Sequence, residues 1–236
     1  TILNSIGTLQ HGKVALNKVQ IFYQDLAEEP AFYGDIKPNS WHSLKPKNIG
    51  YKYQSQADEF ALQNVNIELH KGQISFIVGG NGSGKSTLSK LISLHYQPSF
   101  GAIWLGHNKI QSANLASARE FISVIYSDFF VFDKLYGEHD VAKISRYLTL
   151  LELDEKVTVS DGRFSSTRLS DGQRKRLALL ALLLDDRPIC LFDEWAADQD
   201  PRFKDIFYTQ ILPMLRSQGK LIIVISHDDR YFDVAD

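Results

Sequence analysis

The sequence predicts an α/β fold with a mostly parallel sheet covered by helices on both faces. Three observations carry that reading. Apolar runs alternate with helical segments along the chain. The runs Ile74 to Val78, Ile189 to Phe192 and Leu221 to Ile225 are apolar throughout, as in strands buried on both faces. Each run leads into glycines or reactive residue types, as at the ligand-binding edge of an open α/β sheet.

The elements follow in order. Ile2, Ile6, Leu9, Leu16, Val19, Tyr23 and Leu26 recur at three, four or seven residues, which predicts one apolar helical stripe. It fits a helix packed on its own domain or the tail of a helix from an upstream one. Pro30, Gly34, Pro38 and Pro46 mark an irregular linker. Val65, Ile67 and Leu69 alternate as in a strand. Lys85 to Tyr96 reads as a helix and Phe121 to Tyr126 as a strand. Val141 to Leu153 is helical, and Gln173 to Leu184 is strongly so, with no glycine or proline.

Composition bounds the function. A chain of 236 residues makes roughly one and a half domains. Its 26 basic and 28 acidic residues leave a net charge of −2, against a basic nucleic-acid binder. One cysteine excludes an internal disulfide and a multi-cysteine zinc site. Cys190 lies inside an apolar run and reads as a small core residue. The longest apolar run, Leu177 to Leu184, is far short of the ~20 residues of a membrane span.

Gly79-Gly80-Asn81-Gly82-Ser83-Gly84-Lys85-Ser86 matches G-x-x-x-x-G-K-[ST] between a strand and a helix. Such a loop wraps phosphate oxygens with backbone N–H groups, aided by the helix N-terminus. Lys85 is expected to reach the β- and γ-phosphates and Ser86 to ligate Mg²⁺. A chance match in such a chain is on the order of 1%. The strand Ile189 to Phe192 ends in Asp193 and Glu194. Asp193 is placed to hold Mg²⁺ and Glu194 to act as general base on an attacking water.

Leu169-Ser170-Asp171-Gly172-Gln173 stands directly before the long helix. With the phosphate loop and the carboxylate strand, in that order, it resembles the signature of ABC-transporter ATPases, usually Leu-Ser-Gly-Gly-Gln. The resemblance covers Asn48 to Asp236. It implies a P-loop NTPase core with a mostly parallel sheet, an antiparallel β subdomain near the N-terminal part, and a helical signature subdomain at about 128–186. It divides the chain into a leader, 1–45, and an ATPase domain, 46–236. ATP and Mg²⁺ are the implied ligands. The implied assembly is a head-to-tail homodimer in which each ATP lies between one phosphate loop and the partner's signature.

Carried over by position, Gly80 to Thr87 would hold nucleotide, and Tyr53 would stack on adenine, ahead of Tyr51. Ser170, Gly172 and Gln173 would face the γ-phosphate of the opposite subunit. His227 would contact the γ-phosphate and orient water with Glu194, and Asp200 would sit in the loop crossing the dimer interface. Lys85, Glu194 and His227 form the implied catalytic set.

Two departures stand out. Asp171 replaces a usual glycine, with Arg174, Lys175 and Arg176 close enough in sequence to offset its charge. Ser127 stands where glutamine is usual, leaving Ser127 or Asp128 for a water-mediated contact to the metal. The segments 127–133, 193–201 and 226–229 resemble bacterial exporters of cyclic peptides, microcins and peptide siderophores. That resemblance implies an ATPase fused behind a membrane domain at the cytoplasmic face of the bacterial inner membrane. The leader would be the cytosolic end of the last membrane helix plus its linker, and closing strands would follow Asp236. A soluble ATPase of DNA repair or translation and an importer subunit are the alternatives. The repair type inserts a long coiled coil before the signature, whereas Ser170 follows Lys85 by only 85 residues.

Overall fold

The computed structural model describes residues 36–37, 41–53, 60–137 and 140–236. The stripe Ile2 to Leu26 and the linker positions Pro30, Gly34 and Pro38 lie outside the described residues. Two sheets stack through a shared core. The first is antiparallel: β1 (Ser43–Lys52) pairs with β2 (Phe60–Val65), β3 (Leu69–His70) and β5 (Phe100–Leu105), and β6 (Asn108–Lys109) extends β5. The second is wholly parallel, in the order β4 (Ile74–Ile77), β11 (Leu221–Ile225), β10 (Ile189–Asp193), β7 (Ile122–Ile125).

The parallel strands are apolar throughout because both faces are covered. Ile189 and Leu191 of β10 and Leu221 and Ile223 of β11 share a core with the antiparallel sheet and with α1 (Lys85–Ile92). The intervening Cys190, Phe192, Ile222 and Val224 point to the other core. That core takes leucines of α4 (Asp171–Asp185) and residues of α3 (Val141–Leu150). It also takes Phe203 of α5 (Pro201–Ile206), Phe207 of the π-helical turn Phe207–Ile211, and Leu212 of α6 (Leu212–Ser217). Each large apolar side chain so buried contributes about 1.5–3 kcal/mol. Cys190 is a small residue of the same core, and burial pushes its thiol up to about 12. A short helix α2 (Leu115–Arg119) precedes β7, and the hairpin β8 (Val159–Ser160) and β9 (Arg163–Phe164) follows α3. No helix among the described residues is long and apolar enough to cross a membrane.

Several expected boundaries move. The alternation Val65, Ile67, Leu69 is split: β2 ends at Val65 and β3 starts at Leu69, with Ile67 in the connection. Alternation by itself cannot tell one strand from two short ones that pair on the same neighbour. The helix from Lys85 stops at Ile92, because Leu94 takes a left-handed φ of 63°. The helix from Val141 stops at Leu150 before Glu152, φ 54°. β1 begins at Ser43, and the buried Ile36 and Trp41 share its core, so the folded unit extends upstream of residue 46.

The β1–β5 ladder carries a bulge between Lys47 and Gly50, opposite Gly101. Gly101 has φ +81°, and a Cβ there would lie 2.2 Å from the Asn48 carbonyl oxygen. Gly101→Ala should therefore lower unfolding stability by more than about 2 kcal/mol in urea titration. A loss under about 0.5 kcal/mol would show that this close approach relaxes freely.

Candidate active site

The parallel strands end on one edge, and that edge gathers the candidate residues. β4 leads into the phosphate loop, β7 into Tyr126 to Asp128, β10 into Glu194, and β11 into Ser226 and His227. Gly82 and Gly84 take φ of 78° and 88°, which lets the loop turn sharply into α1. The first N–H groups of α1 have no acceptor within the helix and point toward the loop. Lys85 is buried at 8% exposure, and its ammonium donates to the carbonyls of Gly79 (2.9 Å) and Gly80 (3.1 Å). Gly80, Asn81, Gly82, Ser83 and Ser86 are exposed, and Thr87 is buried.

Asp193 ends β10 at 4% exposure. Ser89 Oγ donates to its Oδ2 at 2.7 Å and lies 3.2 Å from the Ser86 carbonyl oxygen. Ser89, one turn along α1 from Ser86, thus lies against the carboxylate. Burial raises the Asp193 pKa above the ordinary range. The Ser89 hydrogen bond opposes this, while the charges of Glu194 and Asp128 add to it. A hydroxyl and an under-compensated buried carboxylate are the hard oxygen donors that Mg²⁺ takes, so Ser86 and Asp193 fit that ion. Ser127 and Asp128 are exposed in the turn after β7. Asp128 comes close enough to Asp193 to raise its pKa. No hydrogen bond joins Ser127 to Asp193 or the phosphate loop among the described residues.

Glu194 leaves the strand in a left-handed conformation, φ 51°. Its N–H donates to the Ile225 carbonyl at 3.0 Å, continuing the β10–β11 ladder one residue past Asp193. Its carboxylate then meets His227 Nε2 at 3.3 Å, both side chains being partly exposed. Tyr53 shares a hydrogen bond with Thr87 Oγ1 at 3.0 Å, which ties it to α1. Tyr51 is instead stacked on Tyr96 at 4.9 Å, with Tyr53 edge-on to both rings.

The signature forms the N-terminus of α4. Ser170 caps it: Ser170 Oγ accepts from Gln173 N (3.4 Å), and Gln173 Oε1 accepts from Ser170 N (3.3 Å). Asp171 opens the helix, largely exposed and paired with Arg174. Of the three neighbouring cations, Arg174 alone takes that role. Lys175 is buried against Asp198 at 2.6 Å. Arg176 binds Glu152 (3.1 Å), Gln199 Oε1 (3.1 Å) and Asp200, and stacks on Phe203 at 3.7 Å. Gln199 Nε2 in turn donates to the Gly172 carbonyl at 3.0 Å. Asp200 caps α5 by accepting from Phe203 N at 3.0 Å. That bond and the nearby Arg176 hold its carboxyl below the usual range. Within the chain, the signature therefore bonds to the 195–200 segment.

Comparison with known proteins decides the family. The family model described as ABC transporter matches residues 62–197. The chain belongs to the ABC transporter family. The ATP-binding protein SyrD of Pseudomonas syringae pv. syringae is 43% identical over 205 residues. That match takes in 84% of this chain and 36% of SyrD, so the chain spans about a third of that relative's length. A bacterial Atm1-family ABC exporter with ATP bound shares the fold. Its TM-score is 0.79 at 20% identity, over 97% of this chain and 42% of that one. The dimeric bacterial ABC transporter cassette MJ0796 gives a TM-score of 0.68 at 22% identity, over 81% of this chain and 91% of that one.

Three features of this ABC cassette escape sequence reading. Ser89 grips Asp193, and its spacing of four from Lys85 was the available signal. Gln199 joins Gly172 to Arg176, which no motif announces. The third is an apolar groove of 520 Å³ between the β7 end and α4, lined by Phe129, Phe130, Phe132, Tyr136, Leu177 and Ala181 among others. Phe130 is 78% exposed and Tyr136 63%. A run of aromatics in a loop was the signal for it.

Asp193 carries the first chemical prediction. A carboxylate with a raised folded pKa destabilises the fold while ionised, and the penalty fades as pH falls through that pKa. Asp193→Asn should raise the Tm of the nucleotide-free cassette at about pH 7.5, with a gain that shrinks toward about pH 4. Thermal melts across that range check it, and a lowered Tm at the upper end contradicts it.

Proposed function

We propose that this chain is the ATP-hydrolysing motor of an ABC exporter. The observation that carries the reading is the shared sheet edge. There Lys85 and Ser89 of α1 meet the strand ends, Ser89 bonding Asp193, beside the Glu194–His227 pair at 3.3 Å. Lys85 can exchange its loop carbonyls for phosphate oxygens of ATP. Ser86 and Asp193 would hold Mg²⁺, which when bound supplies positive charge to the β- and γ-phosphates. Glu194 accepts the proton of the attacking water, and His227 holds the carboxylate and the γ-phosphate end in register. Tyr53, placed beside Thr87, offers its ring to adenine.

A cassette presenting the phosphate loop and the signature in separate places suits a head-to-tail homodimer. The dimeric MJ0796 structure supports a pair of cassettes; in the head-to-tail form Ser170, Gly172 and Gln173 would face the partner's nucleotide. The groove at Phe130 and Tyr136 suits a helix of a membrane domain carried by the same polypeptide. The support is that the match covers only 36% of SyrD. The motor would then work at the cytoplasmic face of the inner membrane. The likeness of segments 127–133, 193–201 and 226–229 to cyclic-peptide exporters supports a peptide or peptide-siderophore cargo.

Glu194→Gln should cut steady-state ATP turnover by at least about 100-fold while ATP binding persists. Phosphate release and nucleotide titration on the same preparation read the two separately, and undiminished turnover removes Glu194 from the base role. A mixed dimer of Lys85→Ala and Ser170→Arg protomers places both lesions in one site and leaves the other intact. It should recover about half of wild-type turnover where each homodimer has almost none, and no recovery in a demonstrated dimer counts against the sandwich.

A further inference from the structure

We propose that Tyr208 is a positioning residue for His227, set in place by the π-helical turn Phe207–Ile211. The inference rests on the reading that His227 serves hydrolysis. His227 needs an external hold. About half of its side chain is exposed, and it borders a cavity of 290 Å³ that Glu194, Ala197, Lys204 and Tyr208 also line. Beyond the Glu194 contact at 3.3 Å the ring faces that open cavity, so its place depends largely on the backbone turn that carries it.

That turn is pinned on both sides of the histidine. Ser226 Oγ accepts the Asp228 N–H at 3.0 Å, closing the turn across His227. The same Oγ shares a hydrogen bond of 2.9 Å with the Tyr208 hydroxyl. Asp228 is fixed by a two-pronged contact to Arg230, 2.8 Å in each arm, and by Lys204 at 3.5 Å. Tyr208 is itself immobilised: it is fully buried and stacks on Tyr231 at 4.2 Å, and the Tyr231 hydroxyl binds Asp205. Burial also raises the Tyr208 pKa, so the phenol stays protonated near neutrality.

The helix explains why Tyr208 reaches this point. Pro213 lies in the first turn of α6 and has no N–H to offer the carbonyl four residues back. The preceding turn widens to the π form, which rotates later residues relative to a regular helix. Phe207 and Tyr208 both end up fully buried, Phe207 edge-on to Phe192 and Tyr208 against the His227 turn. Asp200 caps helix α5, so the hold on His227 is continuous with the segment that bonds the signature.

Tyr208→Phe keeps the ring and removes only the hydroxyl. With the whole chain, saturating Mg²⁺-ATP and His227→Ala as the benchmark, Tyr208→Phe should lower kcat about tenfold with KM for ATP unchanged. Ser226→Ala, which loses both turn bonds, should lower it at least as far, and the double variant no further than Ser226→Ala. Ser226→Thr, which keeps the hydroxyl, should restore most of the rate. Wild-type kcat in Tyr208→Phe beside an inactive His227→Ala overturns the positioning role and leaves the functional reading intact. Full turnover in His227→Ala overturns the role of His227 in hydrolysis and the positioning proposal with it, while the ATPase reading stands. Histidine-selective NMR decides the matter without turnover. The His227 ring signal, identified by its loss in His227→Ala, should broaden or split in Tyr208→Phe, and an unchanged signal overturns the proposal even if the chain hydrolyses nothing.

Discussion

The structure depends on the parallel register of four short strands. Asp193 sits opposite Ile225, Ile225 opposite Ile77, and Phe192 opposite Ile125, so the strands finish almost level. Hydrogen bonding between neighbours fixes that alignment, and burial on both faces fixes which residues can occupy it. Reactive residues begin where the apolar pattern stops. The extra ladder bond from Glu194 N to the Ile225 carbonyl is the last product of this register. It holds Glu194 beside the strand that delivers His227, so a slip of one residue between β10 and β11 would separate the pair. A slip would also turn Phe192 and Val224 toward the wrong core.

From that edge, two sets of contacts run outward. One follows α1: Ser89 takes Asp193, and Ser93 takes Tyr126 at 2.5 Å, with His95 closing the group at 3.1 Å. A single short helix thereby ties the phosphate loop to the ends of both β10 and β7. The other follows the 195–200 segment: Trp195 Nε1 donates to the Lys175 carbonyl, Asp198 takes Lys175, and Gln199 and Asp200 take Arg176. Arg176 is buried and contacts three polar partners, so its planar fork does what a lysine could not. The acidic turn and the signature of one chain are thus mechanically joined. In the proposed head-to-tail pair, a displacement at Glu194 of one site would reach the signature facing the other.

Much of this was legible in the sequence, for definable reasons. The parallel strands were readable because burial on both faces leaves unbroken apolar runs. The phosphate loop was readable because its backbone conformation demands glycines at fixed spacing. Helix ends were misplaced where a non-glycine residue takes a left-handed φ, as Leu94 and Glu152 do, since nothing in the local pattern announces it. Contacts that depend on tertiary placement were the least visible. Gln199 and Tyr208 are ordinary residues made important by what lies across from them, and the π turn shows only as a proline that a regular helix would reject.

The departures from the usual signature follow the same logic of local compensation. Asp171 brings negative charge to a surface that the proposed head-to-tail pair would turn toward phosphate, yet the helix places Arg174 three residues on, where an i, i+3 pair forms. The carboxylate is largely exposed and lies at a helix N-terminus, where the backbone itself favours an anion. Its charge is thus met by Arg174 and by the helix, while Ser170 stays at the tip through its reciprocal bonds with Gln173. Lys175 and Arg176, which composition alone would have offered for the same task, are committed to Asp198 and Asp200. Asp171 is therefore tolerated at the cost of a cation one helical turn away, and the segment that couples signature to acidic turn keeps its own charges intact.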